Sequence, residues 1–242
     1  MITRDSVALS LFDVRLLPDS LEEIARLEAR LTPERRKKIE RYRFESDKRR
    51  ALAAGLALER AFGATAREIL VDEFGKPYLP GGAFFNLSHS GNWVALAVDS
   101  RGGVGCDVQI RQDSLKPEII AKRFFHASEY EAFLSSEGEE RERVFYRTWA
   151  LKESYLKALG RGFRITPTSF AVDANAEPRL VERASEDDAQ NWNLRVWDFE
   201  GGALALCASS DSASVEPERV DSYATFHKGA LLTLFDILKI RR

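Results

Sequence analysis

The chain has 242 residues, 44% of them hydrophobic, and a formal net charge of −2. That composition excludes a disordered chain and allows one sizeable core or two small ones. The near-neutral balance gives no global attraction to nucleic acid or anionic membrane, so any basic site must be local.

Residues 7–14 alternate as a strand, and a Pro-Asp-Ser turn leads to a helix near 21–31. The stretch "LTPERRKK" starts another helix, with Thr32 as its cap and Pro33 at its first position. That helix is expected to break near 44–46. Ser46 would then cap a second segment, which Gly63 stops. Residues 69–109 read as strands separated by Gly-Lys-Pro, Pro-Gly-Gly, Ser-His-Ser-Gly and Ser-Arg-Gly-Gly turns. Pro117 opens a helical region to about 133. The acidic "SSEGEERER" is a loop or a helix start, and "RVFYRTWALKESYLKALG" is a strong helix stopped by Gly160. Strands follow at 169–172, 192–198 and 203–208, with an exposed polar connection over 175–190. The segment 226–240 has an apolar face at helical spacing and reads as a docked helix.

Strands and helices are segregated rather than alternating, which favours α+β. A new strand–helix–strand series starts at Gly102-Gly103 and marks a boundary. The division is then 1–102, 103–210 and an extension over 211–242. Cys106 and Cys207 lie in apolar runs and read as buried free thiols of a reducing compartment. With no C-x-x-C and three histidines, a structural zinc site is not expected. The N-terminus lacks a signal-peptide core and no apolar run reaches membrane-spanning length, so a soluble cytoplasmic protein is expected.

Four features could carry chemistry. In "GVGCDVQ", Asp107 and Gln109 share one strand face while Cys106 and Val108 take the other. Taken alone, Asp107 reads as a surface or strand-end carboxylate. Glu153 and Lys157 share a face of a helix that is apolar around most of its circumference. A carboxylate there needs a cation or metal, although a solvated ion pair is the plainer alternative. From Arg35 to Arg50 there are nine Lys/Arg and three Asp/Glu, a local charge of +6. Such a run is a solvated face or an anion site. "GKP" (75–77) and "SHSG" (88–91) are each weak. A serine hydrolase is excluded because no G-x-S-x-G elbow occurs, so His89 binds rather than activates.

The order of these pieces is more specific than any one of them. "GKPYL…FNLSHSGNWVALAV…VGCDVQ", then "FFHASEY", then "FYRTWALKESYLKALGRG" resembles the 4′-phosphopantetheinyl transferases of the surfactin-synthetase-activating (Sfp) type, over about residues 31–208. The resemblance implies a pseudo-dimer of two similar α+β halves, a monomer with an internal two-fold, and an active-site cleft between the halves. It implies transfer of the phosphopantetheine arm of coenzyme A to a serine of an apo acyl- or peptidyl-carrier protein, with release of 3′,5′-ADP. It further implies that Asp107 and Glu153, with Gln109, hold Mg²⁺, for which Mn²⁺ can substitute. Arg35, Lys38, Arg50, Lys76, Pro77, Ser88, His89 and Lys157 would hold coenzyme A. Glu153 would be the base and Lys157 would stabilise the leaving phosphate. Ile119, Ile120 and Phe124 would meet the carrier protein. Gln109 departs from the family, where many members have a second acidic residue. A competing reading is a binding protein with a degenerate metal site, but Glu153 and Lys157, whose loss would mark it, are both present.

Overall fold

The computed structural model describes residues 7–161, 164–187, 191–210, 212 and 215–220. It is built as four layers, helices outside and two sheets back to back inside. The first half begins with β1 (Val7–Asp13), α1 (Leu21–Glu28), α2 (Pro33–Glu40) and α3 (Glu45–Phe62). Thr32 caps α2 as expected, its hydroxyl accepting from Arg35 N at 3.3 Å. The break before α3 also stands, but the helix starts earlier than expected, with Phe44 rather than Ser46 at the cap and no side-chain cap bond. Gly63, at φ 58°, ends it.

A small hairpin, β2 (Leu70–Val71) with β3 (Pro77–Tyr78), precedes β4 (Phe84–Ser90) and β5 (Trp93–Asp99). Ser88, His89 and Ser90 are therefore strand residues rather than a turn; the reversal falls at Gly91-Asn92. The second half holds β6 (Val104–Gln109), α4 (Pro117–Phe124), α5 (Ala127–Ser135) and α6 (Gly138–Leu159). The helical region after Pro117 is interrupted at Phe125-His126. There His126 and Glu129 form a reciprocal capping box that starts α5. The acidic stretch is the start of α6, and Gly160, in the left-handed region at φ 71°, stops that helix.

The chain then forms β7 (Ala171–Asp173), β8 (Arg179–Glu182), β9 (Asn193–Phe199) and β10 (Gly202–Ala208). β8 corrects the polar connection: it pairs with the buried β7 as a largely exposed strand that carries too little apolar patterning to announce itself. β11 (Glu218–Val220) returns to the first half and pairs parallel with β1. The helix expected over 226–240 lies outside the described residues. Among those residues no helix is long and apolar enough to cross a membrane.

The first sheet has the order β11-β1-β5-β4 and the second β6-β10-β9. Strand alternation sends Phe12, Val94, Leu96 and Val98 toward α1–α3, and Ala203, Ala205 and Cys207 toward α4–α6. The opposite faces meet in a third core of Leu9, Leu11, Trp93, Val104, Cys106, Val108, Leu204 and Leu206. Both cysteines are buried free thiols, as expected. The α+β class and the two halves thus follow from one pattern, strands apolar on both faces between polar-surfaced helices.

At one side the sheets are joined by side chains. Asn86 Oδ1, Ser88 Oγ and Ser90 Oγ, alternate residues of β4, accept from the backbone N–H of Cys106, Val108 and Ile110 at 3.0, 3.2 and 3.0 Å. Three polar side chains thereby satisfy donors on the open edge of β6.

Candidate active site

The seam between β4 and β6 leads directly to the candidate residues. Gly105 on β6 has no Cβ to hold α6 away. A Cβ there would lie 2.0 Å from Ser154 O and 2.4 Å from Ala158 N. The helix therefore lies against the strand and covers the face that carries Asp107. That corrects the expectation of a surface carboxylate: Asp107 is 2% exposed.

Both carboxylate oxygens of Asp107 are engaged. Its Oδ1 accepts from Lys157 Nζ at 2.5 Å and from Ser88 Oγ at 2.7 Å, and its Oδ2 accepts from Gln109 Nε2 at 3.0 Å. The shared strand face of Asp107 and Gln109 thus holds. Ser88 is buried, and its hydroxyl also accepts from Lys157 Nζ at 3.0 Å. This serine is committed to the junction between the halves and orients Asp107 and Lys157.

Glu153 lies one turn before Lys157 on α6. Burial raises the pKa of its carboxyl, the nearby Asp107 carboxylate raises it further, and Lys157 offsets part of this. Burial alone would lower the Lys157 ammonium, but Asp107, with smaller help from Cys106 and Glu153, holds it above the ordinary lysine value. The solvated-pair alternative is thereby removed: the Lys157 side chain is 27% exposed and its partner is Asp107, on β6.

The basic run divides by task. Arg49 donates to the Leu17 and Pro18 carbonyls and is structural. Arg50 donates to Gly91 O at 2.9 Å and to Asp47 at 2.5 Å, which sets it beside the end of β4. His89, on the exposed side of that strand end, is held below its ordinary pKa by the surrounding protein and then by the Arg50 and Lys157 charges. Arg35 is half-buried, and burial lowers the pKa of its guanidinium. Lys38 is exposed on α2. Lys76 is half-buried, and its ammonium is spent on backbone: it donates to Lys157 O at 2.7 Å and Ala158 O at 3.0 Å. Pro77 follows it in β3.

The three apolar residues of the second half are not equivalent. Ile119 is 66% exposed. Ile120 packs partly against the core, and the Phe124 ring stands edge-on to Trp149 at 5.6 Å. Of the three, Ile119 alone is exposed.

Two features escaped the sequence. Lys152, beside Glu153, forms an ion pair with Glu129 at 2.7 Å, and both side chains are 2% exposed. Glu129 also accepts from Val172 N and His126 N, and Lys152 donates to Phe170 O, so the pair is well satisfied. Its signal was a charged residue on a helix face otherwise filled by Thr148, Leu151 and Tyr155. The other is the Asn86, Ser88, Ser90 ladder, visible in sequence only as polar residues at alternate positions of an apolar strand.

No three His, Cys, Asp or Glu side chains converge among the described residues. Two carboxylates do, with the charge of one raising the pKa of the other, and that is a donor set suited to a hard cation whose remaining ligands come from elsewhere.

Comparison with known proteins covers both halves. Residues 103–208 match the model of the 4′-phosphopantetheinyl transferase superfamily, and residues 18–101 match that of the 4′-phosphopantetheinyl transferase N-terminal region. The 4′-phosphopantetheinyl transferase Sfp of Bacillus subtilis strain 168 is 32% identical over 202 residues, 79% of this chain and 88% of its own. The 4′-phosphopantetheinyl transferase psf-1 of Bacillus pumilus is 32% identical over 229 residues, 87% of this chain and 94% of its own. The crystal structure of the Thermotoga maritima holo-[acyl-carrier-protein] synthase aligns over 46% of this chain and 63% of its own, at 27% identity and a TM-score of 0.37. From one half to the other, across the junction that gathers Asp107, Glu153 and Lys157, the chain belongs to the 4′-phosphopantetheinyl transferase superfamily and is of its Sfp type.

Proposed function

We propose that this transferase moves the phosphopantetheine arm of coenzyme A to a serine of an apo acyl- or peptidyl-carrier protein. In this reading residues 1–102 supply the nucleotide cradle and residues 103–210 the carboxylates. The observation that carries it is the Asp107–Glu153–Lys157 cluster beside the basic edge of Arg50 and His89.

Arg35, Lys38, Arg50 and His89 take the anionic end of coenzyme A, and a guanidinium that burial has already stripped of water, as at Arg35, gains most from a phosphate. Asp107 and Glu153, with the Gln109 amide beside them, would hold Mg²⁺, which supplies neutralisation of pyrophosphate charge when bound. Glu153 takes the proton of the carrier serine, because its raised pKa makes it a better base than an ordinary carboxylate. Lys157, held on Asp107, supplies the cation that favours departure of 3′,5′-ADP. Ile119 presents the apolar contact for the carrier protein. Intact-mass analysis of candidate apo-carrier proteins, incubated with this protein, coenzyme A and Mg²⁺, tests the proposal. The expected result is a mass gain of one phosphopantetheine. No gain on any carrier, from folded protein that binds coenzyme A, overturns it.

A further inference from the structure

The ammonium of Lys76 does something the nucleotide cradle does not require. It crosses from the first half to the second and ends on two carbonyls of the last turn of α6, Lys157 O and Ala158 O. The last carbonyls of a helix have no partner of their own and carry the negative end of its dipole. Gly160 N closes back on Leu156 O, and the next two carbonyls are left to Lys76.

The turn that delivers this lysine is built for rigidity. Asp72 Oδ1 accepts from Phe74 N at 2.9 Å and Lys76 N at 2.8 Å, and Gly75 supplies the positive φ of 85°. The receiving end is shaped to match. A Cβ at Gly160 would lie 2.8 Å from Lys76 Cδ, so the glycine that ends the helix also gives the lysine stem its path. A second contact joins the same turn to the chain beyond α6, with the Arg164 guanidinium 4.8 Å from the Phe74 ring centre. Burial lowers the pKa of the Lys76 ammonium, with Asp72 partly offsetting it.

We infer that Lys76 is a positioning residue for transfer: by capping α6 it fixes the backbone of Lys157 in the last turn, and through it the alignment of Lys157, and of Glu153 one turn earlier, with Asp107. Lys157 is then pinned at both ends, its carbonyl by Lys76 and its ammonium by Asp107. The inference rests on the proposed roles of Glu153 and Lys157. It replaces phosphate binding as the task of Lys76.

Lys76→Met tests it through three readings on the full chain: steady-state transfer, equilibrium binding of coenzyme A, and amide hydrogen exchange over residues 156–160. Expected are a fall in kcat of about 10- to 100-fold, as for small misplacements of reacting groups, and a Kd for coenzyme A changed by less than about two-fold. Exchange should be faster in the last turn of α6. Lys76→Cys provides a rescue, because alkylation with bromoethylamine rebuilds a lysine-like ammonium while Cys106 and Cys207 are buried and inert. Recovered kcat and slowed exchange after alkylation support the cap. Unchanged kcat and exchange, or a Kd for coenzyme A raised about ten-fold or more at unchanged kcat, overturn it. Wild-type transfer by Glu153→Gln in the same assay would instead overturn the reading of the site, and the exchange measurement would still decide the cap.

Discussion

In the folded protein Glu153 gives up its proton at a higher pH than a free glutamate does. Its folded pKa is raised by burial and by Asp107, so the folded protein keeps this proton more tightly than the unfolded chain does. The resulting stability is fully present below the unfolded value of about 4.3 and is lost as pH rises through the folded value. Glu153→Gln removes that loss. Without coenzyme A or Mg²⁺, the variant should be more stable than wild type at neutral pH, and the gap should close as pH falls toward about 4.3. Urea titrations across that range measure it. Transfer should fall by about 10²–10⁴-fold, the usual cost of a missing general base. Gln109 makes the contrasting case. Its amide donates one bond to Asp107 at the half-exposed end of β6, and water can take that place. Gln109→Ala should therefore reduce turnover far less than Asp107→Ala, which strands Lys157 and Ser88. Gln109→Glu should tighten Mg²⁺ binding to the free enzyme by adding a carboxylate. Calorimetric titration and turnover of the three variants check this, and equal inactivity of folded Gln109→Ala and Asp107→Ala would contradict it.

At the scale of elements, the placement of α6 decides the site. Gly105→Ala would drive a methyl group into the helix backbone at Ser154 and Ala158, which cannot swing aside as a side chain can. Overpacking of this kind costs about 1–3 kcal/mol. Denaturation midpoints should drop, and turnover should drop with them as Glu153 and Lys157 shift from Asp107. Wild-type turnover in Gly105→Ala would show that the close approach is not what sets the site. The sequence made the body and the C-terminal end of α6 legible, because Gly160 and the long apolar pattern are local signals, but it left the acidic start open between loop and helix. It hid the side of β6 that α6 covers, since alternation separates two faces but does not say which one a helix will lie on. It also hid β8 and the start of α5: a short, largely exposed strand has little periodicity, and a histidine cap is an uncommon signal. Glu153 and Lys157 could be singled out from their apolar helix, Asp107 entered the site only through the family resemblance, and Ser88 and Lys76 could not be assigned their partners. Those partners are far along the chain, and for Lys76 they are bare backbone.

On the scale of the molecule, the two halves share one interior. Leu204 and Leu206 of the second sheet and Leu9 and Leu11 of the first are each at most 2% exposed in the core between the sheets. Separating the halves would bare that whole core to water. The protein should therefore unfold in one cooperative step, with secondary structure and tryptophan fluorescence lost together. Leu206→Ala should lower stability by about 2–5 kcal/mol without splitting the transition. Two separated transitions in calorimetry would mean that the halves are independent. β11 reinforces the union, since it leaves the second half and lies beside β1 in the first.

The Asn86, Ser88, Ser90 ladder also acts as a ruler. Its three rungs meet backbone N–H groups spaced two residues apart, so the strands can be offset only in steps of two. A slip of one residue would turn all three rungs away and bring Phe85 and Leu87, whose side chains have no polar atom, to donors they cannot satisfy. A slip of two would carry Ser88 away from Asp107 and set Asn86 or Ser90 in its place. The distance from the basic edge to the buried carboxylates is thus quantised by the pleat of a single strand, and insertions in β4 of any odd length would unmake the site without touching any residue in it.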